Sequence, residues 1–330
     1  MTDRSATRVL VTGAAGFVGV PVCRTLSAAG YRVTAVTRAP PPAPLDAERT
    51  EVMGDLSGHT DWSAVLAGID VVVHLAGRAH AADGDGEQVE KLYTAANVEV
   101  LEGLAEAAVG LGVKRFVFVS SIKVNGEETH GTPFTADQAP SPEDAYGRSK
   151  LRAEQRLREI AGNRMQWVIL RPPLMYGPGV RGNMARLFGI ADRGWPVPFG
   201  SIANARDLLY VDSFADLVAL AVDAPAADGG TFLARDGTPL STPRLFRGIA
   251  AALGRSARVL PFPVSALRLA GLLTGRAPEV RRLVGDLEID DGPTRRLLGW
   301  TPAVATDEAL ARTAAWFKAR PSRPGTRDPK

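Results

Sequence analysis

Three side chains near the middle of the 330-residue chain have the types and spacing to move a proton to or from an oxygen. Tyr146 and Lys150, in "DAYGRSKLRAE", stand four residues apart and so share one face of a helix. Ser121 closes "RFVFVSS", where a strand should end and a hydroxyl could bond the oxygen whose proton Tyr146 exchanges. Free tyrosine titrates at about 10, and populating its phenolate near neutrality takes about 4 kcal/mol. A nearby ammonium such as that of Lys150 is one charge able to supply it.

A second motif says what the proton transfer is coupled to. "VTGAAGFVGV" (11–20) places Gly13, Gly16 and Gly19 directly after the apolar run Val9-Leu10-Val11. Glycine is costly in ordered backbone, so these positions must need the absence of a side chain. Between a strand and a helix, the first glycine allows the tight turn and the second lets a pyrophosphate approach backbone N–H groups. The third lets helix and sheet pack closely, and the helix N-terminus favours the anion. The site expected around these glycines, with Phe17 and Val18 in the same turn, is for a nicotinamide dinucleotide, whose cationic ring is a second charge able to lower Tyr146. "GDL" puts Asp55 and Leu56 after the third strand, near an adenine amino group. "HLAG" ends the fourth strand with Leu75, Ala76 and Gly77, a loop passing close under the cofactor, and His74 reads as a packed histidine. NAD-specific folds place an acid at the end of the second strand; "VTAVTR" has none and ends on Arg38. A guanidinium there suits a 2′-phosphate, so NADP is expected, with NAD the alternative.

These groups need a scaffold. Strands are expected at 8–12, 32–36, 50–53, 70–75, 115–120 and 166–170, with helical patterns at 17–29, 61–67, 88–111 and 145–161. Near-continuous apolar strands alternating with helices predict an α/β fold, a doubly wound parallel sheet covered on both faces. This reading gives a dinucleotide-binding Rossmann domain over 1–172 and a smaller mixed substrate domain over 173–318, after Pro and Gly rise in "RPPLMYGPGVRGN". Residues 206–222 return to the first domain as a short strand and a helix capped near Asp212 or Ser213, and 319–330 form a disordered tail. "VLPFPVSALRLAGLL" (259–273) carries one charge, Arg268, and lacks the basic face of a membrane-surface helix. It is expected to pack over the substrate cleft or a subunit neighbour.

An apolar fraction of 45% with 23% charged residues and a net charge of +3 describes an ordinary globular chain. Scattered basic residues without interleaved aromatics argue against a nucleic-acid partner. The single cysteine, Cys23, excludes an internal disulfide and a multi-cysteine metal site, and no metal is expected. No apolar run is long enough to insert across a membrane, and a strand begins within ten residues of the start, leaving no room for a signal peptide. A reducing cytoplasm fits.

Taken together, Gly13-Gly16-Gly19, Asp55, Ser121, Tyr146 and Lys150 resemble the extended short-chain dehydrogenase/reductase family, in its nucleotide-sugar epimerase/dehydratase branch of the UDP-glucose 4-epimerase type. The resemblance runs over about residues 7 to 317. It implies a UDP-sugar substrate, with Asn97 supporting the catalytic network and Asn183 contacting UDP. It further implies Val197 and Phe199 at the uracil, Arg206 clamping the diphosphate, and Arg282 and Asp286 around the nucleotide, the last pair one residue out of register. It also implies a homodimer through helices 88–111 and 145–161. Departures are informative. Lys123, a substrate-side residue, and Asn125 replace the small residue or threonine and the tyrosine of common epimerases. The Asp-Glu pair of 4,6-dehydratases is missing, and Leu174 and Met175 make the sugar pocket more apolar. "SSIKVNGEET" resembles a bacterial polysaccharide subgroup that includes UDP-4-keto-6-deoxy-N-acetylhexosamine 4-reductases. Hydride transfer at C4 of a UDP-sugar is therefore expected, as a 4-ketoreductase, with a 4-epimerase as the alternative. A non-catalytic NAD(P)-binding regulator would share the fold, but such proteins usually lose the Tyr or Lys kept here.

Overall fold

The computed structural model describes residues 4–79 and 86–320. Its strands are Arg8–Thr12 (β1), Arg32–Thr37 (β2), Arg49–Val52 (β3), Val71–His74 (β4), Arg115–Val119 (β5), Gln166–Arg171 (β6), Leu174–Tyr176 (β7), Leu208–Tyr210 (β8) and Gly230–Leu233 (β9). Seven form one sheet in the order β3-β2-β1-β4-β5-β6-β9, every pairing parallel. Both faces are covered, which is why the strands read as apolar runs rather than alternating ones. Val9, Val11, Val73, Val117 and Leu170 point to one core, shared with helices Gly19–Ala28 and Val211–Asp223. Leu10, Val72, Phe116, Phe118 and Ile169 point to the other, against helices Val100–Gly110 and Ala145–Ala161. The expected doubly wound sheet is present. Its order reverses between β1 and β4, and in such sheets the carboxyl ends at the reversal frame the ligand crevice.

Local departures have local causes. The pattern over 88–111 is not one helix: Glu87–Tyr93 and Val100–Gly110 are separated by a π-helical segment, Thr94–Glu99. The helical pattern at 61–67 contracts to Ser63–Leu66. β9 was not expected, because "GTFL" is short and glycine-led and lies far along the chain from β6, whose edge it extends. β8 pairs only with β7, in a separate two-stranded sheet, while the helix after it packs under the main sheet. That helix starts at Val211 with no side-chain cap. Asp212 instead accepts from Arg24 at 2.6 Å and Tyr210 at 3.1 Å.

A third core gathers Tyr176, Phe188, Tyr210, Phe246 and Leu310 from helices Gly182–Asp192, Thr242–Ala252 and Thr306–Lys318 with β7 and β8, joined by Phe199 from the loop before β8. Ile122, Phe134, Leu233, Leu287 and Ile289 form a small fourth one, where the stretch 286–289 bridges to Thr129, Phe134 and Arg206. Of the expected tail, 321–330 lies outside the described residues, and Arg320 lies 3.6 Å over the Trp316 ring. Among the described residues no helix is long and apolar enough to cross a membrane.

Candidate active site

The turn after β1 is defined by what cannot fit in it. Gly13 sits at φ +68°, and a Cβ there would lie 2.9 Å from the Ala76 nitrogen. A Cβ on Gly19 would come within 2.3 Å of the Gly13 carbonyl oxygen, so helix and turn meet backbone to backbone. Ala15 and Gly16 remain exposed beside the start of helix Gly19–Ala28. This cradle of small residues opening at a helix N-terminus fits a dinucleotide pyrophosphate. Phe17 is half-buried against Gly179, and Val18 against the cores beneath.

The end of β4 is tied to the same turn. The Thr12 hydroxyl accepts from the Leu75 and Ala76 N–H groups, both at 3.2 Å. Its own proton therefore goes to His74 Nδ1, 2.8 Å away, leaving the histidine proton on Nε2. His74 is fully buried and stacked on Phe118; burial, reinforced by the Lys150 charge, pulls it down to about 3, so it stays neutral. It is a structural residue. Cys23 is likewise buried, and burial pushes its thiol up to about 12.

Ser121 follows β5 and caps the 3-10 turn Ile122–Val124, accepting from the Lys123 N–H. Asp144 caps helix Ala145–Ala161, accepting from the Gly147 N–H at 2.7 Å, and thereby fixes the turn that carries Tyr146. Asn97, in the π-helical segment, is buried and satisfied on both sides. Its Oδ1 accepts from the Arg78 N–H at 2.8 Å, and its Nδ2 donates to the Arg78 carbonyl and to Ser149 Oγ at 3.1 and 2.9 Å. Ser149 passes this on to the Tyr146 carbonyl at 2.8 Å. Asn97 thus joins the loop after β4 to the Tyr146 turn, a placement that a regular helix would rotate away.

Lys150 is buried. Its Nζ donates to the Val119 carbonyl at 3.0 Å and lies 4.7 Å from the Phe118 ring centre. Burial pulls its pKa down to about 8, against the opposing charge of Glu154. A Cβ on Gly77 would be 3.0 Å from Asn97 Oδ1 and 3.4 Å from Lys150 Nζ, which explains the glycine there. The expectation that Lys150 lowers the phenol is corrected here. Burial drives Tyr146 upward, the hydrogen bond to Ser121 is what opposes it, and Asp144 and Tyr93 add to the rise. The Tyr146 ring is 5.8 Å from that of Tyr93.

The outer cofactor residues are open to solvent. Arg38 and Asp55 are largely exposed and 3.7 Å apart, while Leu56 is half-buried against the second core. The substrate side is charged, and sequence reading found only part of it. Lys123 Nζ, 6.0 Å from the Tyr146 ring centre, pairs with Glu127 at 2.8 Å and with Asp144. The buried Glu127 also takes Arg282 at 3.1 Å and Arg281 at 3.5 Å, and Arg281 reaches Glu143 at 2.7 Å. Burial alone would raise the Glu127 carboxyl, but Lys123 and Arg282 hold it at about 2. The only signal for Glu127 in the sequence was its four-residue spacing from Lys123.

Arg206 donates to the Gly285 carbonyl at 2.9 Å, and Asp286 accepts from the Ala205 N–H at 2.7 Å, so Arg206, Arg282 and Asp286 do gather around one segment. The Val197 and Phe199 side chains are buried in the third core, Phe199 edge-on to Phe246. Asn183 is exposed in the first turn of its helix. Also missed was the buried ion pair behind Ser120 and Lys150. Arg171 grips Glu154 with two bonds of 2.8 and 2.6 Å, and Glu154 accepts from Ser120 at 2.6 Å.

Comparison with known proteins agrees with this geometry. Residues 9–233 match the NAD dependent epimerase/dehydratase family. A Vibrio cholerae protein described as UDP-glucose 4-epimerase is 39% identical over 313 residues, covering 94% of this chain and 95% of its own. The structure of a Thermotoga maritima UDP-glucose 4-epimerase with UDP-glucose superposes with a TM-score of 0.75 at 25% identity, covering 94% of this chain and 99% of that one. MoeE5 in complex with UDP-glucose and NAD gives a TM-score of 0.75 at 27% identity, covering 94% and 98%. The chain belongs to the NAD dependent epimerase/dehydratase family and is an enzyme of the extended short-chain dehydrogenase/reductase type.

Proposed function

We propose that this enzyme transfers hydride at C4 of a UDP-sugar and works as a 4-ketoreductase with NADP. The observation that carries the reading is the placement of Tyr146, hydrogen-bonded to Ser121 and one helical turn from Lys150. Reduction of a ketone needs a hydride at carbon and a proton at oxygen. When bound, a nicotinamide dinucleotide supplies the hydride. Ser121 holds the C4 oxygen and Tyr146 Oη gives it the proton, while Lys150, anchored on Val119, keeps a positive charge beneath the crevice. Asn97 keeps the loop after β4 and the Tyr146 turn in register.

The Gly13–Gly19 turn, Leu56, and Leu75 to Gly77 would hold the dinucleotide, with Asp55 at the adenine. Arg38 is exposed at the end of β2 with no acid to take a ribose 2′-hydroxyl, which supports the phosphorylated cofactor. Arg206, Arg282 and Asp286 would hold the nucleotide, with Asn183, Val197 and Phe199 around the base and Lys123 at the sugar. The half-buried Met175 supports an apolar 6-deoxy position. Helices Val100–Gly110 and Ala145–Ala161 lie side by side and would pair two copies of the chain. A second reading, 4-epimerisation, is favoured by the name of the Vibrio cholerae relative. It uses the same groups, with the phenol acting first as a base. Incubation with a UDP-4-keto-6-deoxy-N-acetylhexosamine and NADPH decides between them. Stoichiometric loss of NADPH absorbance is the expected result. Interconversion of UDP-glucose and UDP-galactose, or of their N-acetyl forms, with no NADPH consumed would establish the epimerase instead.

A further inference from the structure

Helix Val264–Leu273 was expected to pack over the cleft or a neighbouring subunit, but within the chain one face of it is open. Leu269, Leu272 and Leu273 are 57%, 68% and 79% exposed, and Leu260 and Phe262 just before the helix are exposed as well. Spacings of three and four residues place the three leucines on one stripe. This face is not a loose end. Gly271 is buried against Val280, where a Cβ would meet Val280 Cγ2 at 2.8 Å, and Val264 and Leu267 lean on the third core. Leu260 is fixed by backbone bonds to Val197 and Gly200, at 2.9 and 2.8 Å. The leucines are therefore presented on a braced element.

Charge identifies the occupant. Between Asp236 and Asp286 the chain carries eight arginines, no lysine and one acid, Glu279. The basic character that the 259–273 segment lacks by itself lies on and around it. Arg281 and Arg282 are held by Glu143 and Glu127, and Arg255 by Asp192. Arg268 and Arg276 are exposed and make no ion pair among the described residues. Arg268 precedes Leu272 by four residues and Arg276 follows Leu273 by three, so the apolar stripe has a free cation near each end. A symmetric contact with a second copy would set these arginines against arginines of the same patch. The chain cannot cover the face with its remaining segments either: residues 1–3, 80–85 and 321–330 contain one large apolar side chain, Met1.

We propose that this face docks on an anionic bilayer surface. Leu269, Leu272, Leu273 and Phe262 sink to the headgroup–acyl boundary, and Arg268 and Arg276 meet lipid phosphates. The enzyme would then work as a peripheral membrane protein.

The test is co-sedimentation of the full chain with vesicles of phosphatidylcholine alone and of a two-to-one mixture of phosphatidylcholine and phosphatidylglycerol. Binding is expected to the mixed vesicles only, and to weaken as salt is raised. Arg268→Gln with Arg276→Gln should lower partitioning by about fivefold per arginine. Leu269→Ser, Leu272→Ser and Leu273→Ser together should lower it more than about tenfold while leaving the circular dichroism spectrum unchanged. The proposal is overturned if the unmodified chain stays in the supernatant at low salt, or binds both vesicle types equally. It is equally overturned if velocity sedimentation without lipid shows self-association that the leucine substitutions abolish. Should the triple variant not fold, the two arginine substitutions and the vesicle comparison still decide the matter.

Discussion

The two walls of the crevice are built on opposite principles. The wall at the ends of β1 and β4 is small and neutral. Gly13, Gly19 and Ala76 leave backbone in contact with backbone, and one hydroxyl, that of Thr12, ties the strands and bonds His74, which burial keeps neutral. The facing wall is charged, with Lys123, Glu127, Asp144, Glu143, Arg281 and Arg282 already satisfying one another. The first wall would select a ligand by shape, with nothing to rearrange. The second can take a charged ligand only by exchanging one ion pair for another. Tyr146 stands between them, on a helix capped by Asp144 of the charged wall and linked through Ser149 to Asn97.

The strongest way to test that division is at the residue both walls serve. Tyr146→Phe should reduce turnover at least about a hundredfold, as expected for loss of acid–base catalysis, with dinucleotide affinity nearly unchanged. The ring remains to pack against Tyr93, so thermal unfolding should barely move. Steady-state kinetics and a cofactor titration check both parts. Wild-type turnover would remove Tyr146 from the chemistry.

The neutral wall should fail through sterics. Gly19→Ala puts a methyl group where the Gly13 carbonyl oxygen lies 2.3 Å away and both partners are backbone. Overpacking of this kind costs about 1–3 kcal/mol of stability. It should also distort the turn enough to abolish dinucleotide binding in an equilibrium titration. A variant that binds and unfolds like the parent would show that the turn can yield, and that shape does not define this wall.

The contrast also explains what the sequence made legible. The neutral wall was readable because steric demands act over a few residues: glycines at 13, 16 and 19, and small residues after His74, are local facts. The same holds for the strands, whose burial on both faces writes continuous apolar runs. The charged wall was readable only in pieces, since Glu127 meets Arg281 and Arg282 across more than 150 residues. The edge strand β9 went unseen for a related reason, its partner β6 being remote in sequence. Asn97 was located by resemblance, but its inward placement depends on a π-helical turn that periodicity reads as plain helix. Val197 and Phe199 are likewise placed at the base by resemblance alone, and their side chains pack in the third core.

Arg38 sits at the exposed margin of the neutral wall, and it is the one place where that wall should act through charge. Arg38→Ala should weaken NADPH about ten- to a hundredfold, the scale of hydrogen bonds to a charged group, and leave NADH little changed. Equal losses for the two dinucleotides, measured by fluorescence titration, would mean that Arg38 serves only as a surface for the adenine.

The smallest effect is expected in the charged wall, because its members have alternative partners. In Glu127→Gln, Lys123 keeps Asp144 and Arg281 keeps Glu143, so the stability lost near neutrality should fall below the roughly 3 kcal/mol that the full depression of its carboxyl would supply. Its signature is the dependence on pH. Burial opposes ionisation of Glu127, yet Lys123 and Arg282 hold its folded-state pKa at about 2, below the roughly 4.3 of an unfolded chain. A depressed carboxylate contributes stability above its unfolded pKa and loses it as pH falls toward the folded value. The parent should therefore lose its advantage over Glu127→Gln progressively between about pH 5 and pH 2. His74 adds an acid-dependent loss to both proteins, since burial holds it neutral down to about 3 while the unfolded imidazole protonates from about 6.5 downward. That background cancels in the difference between the two. Urea unfolding across this range separates the contributions. Curves that stay parallel would show that Glu127 is not held ionised by its cations, and that the charged wall is as passive as the neutral one.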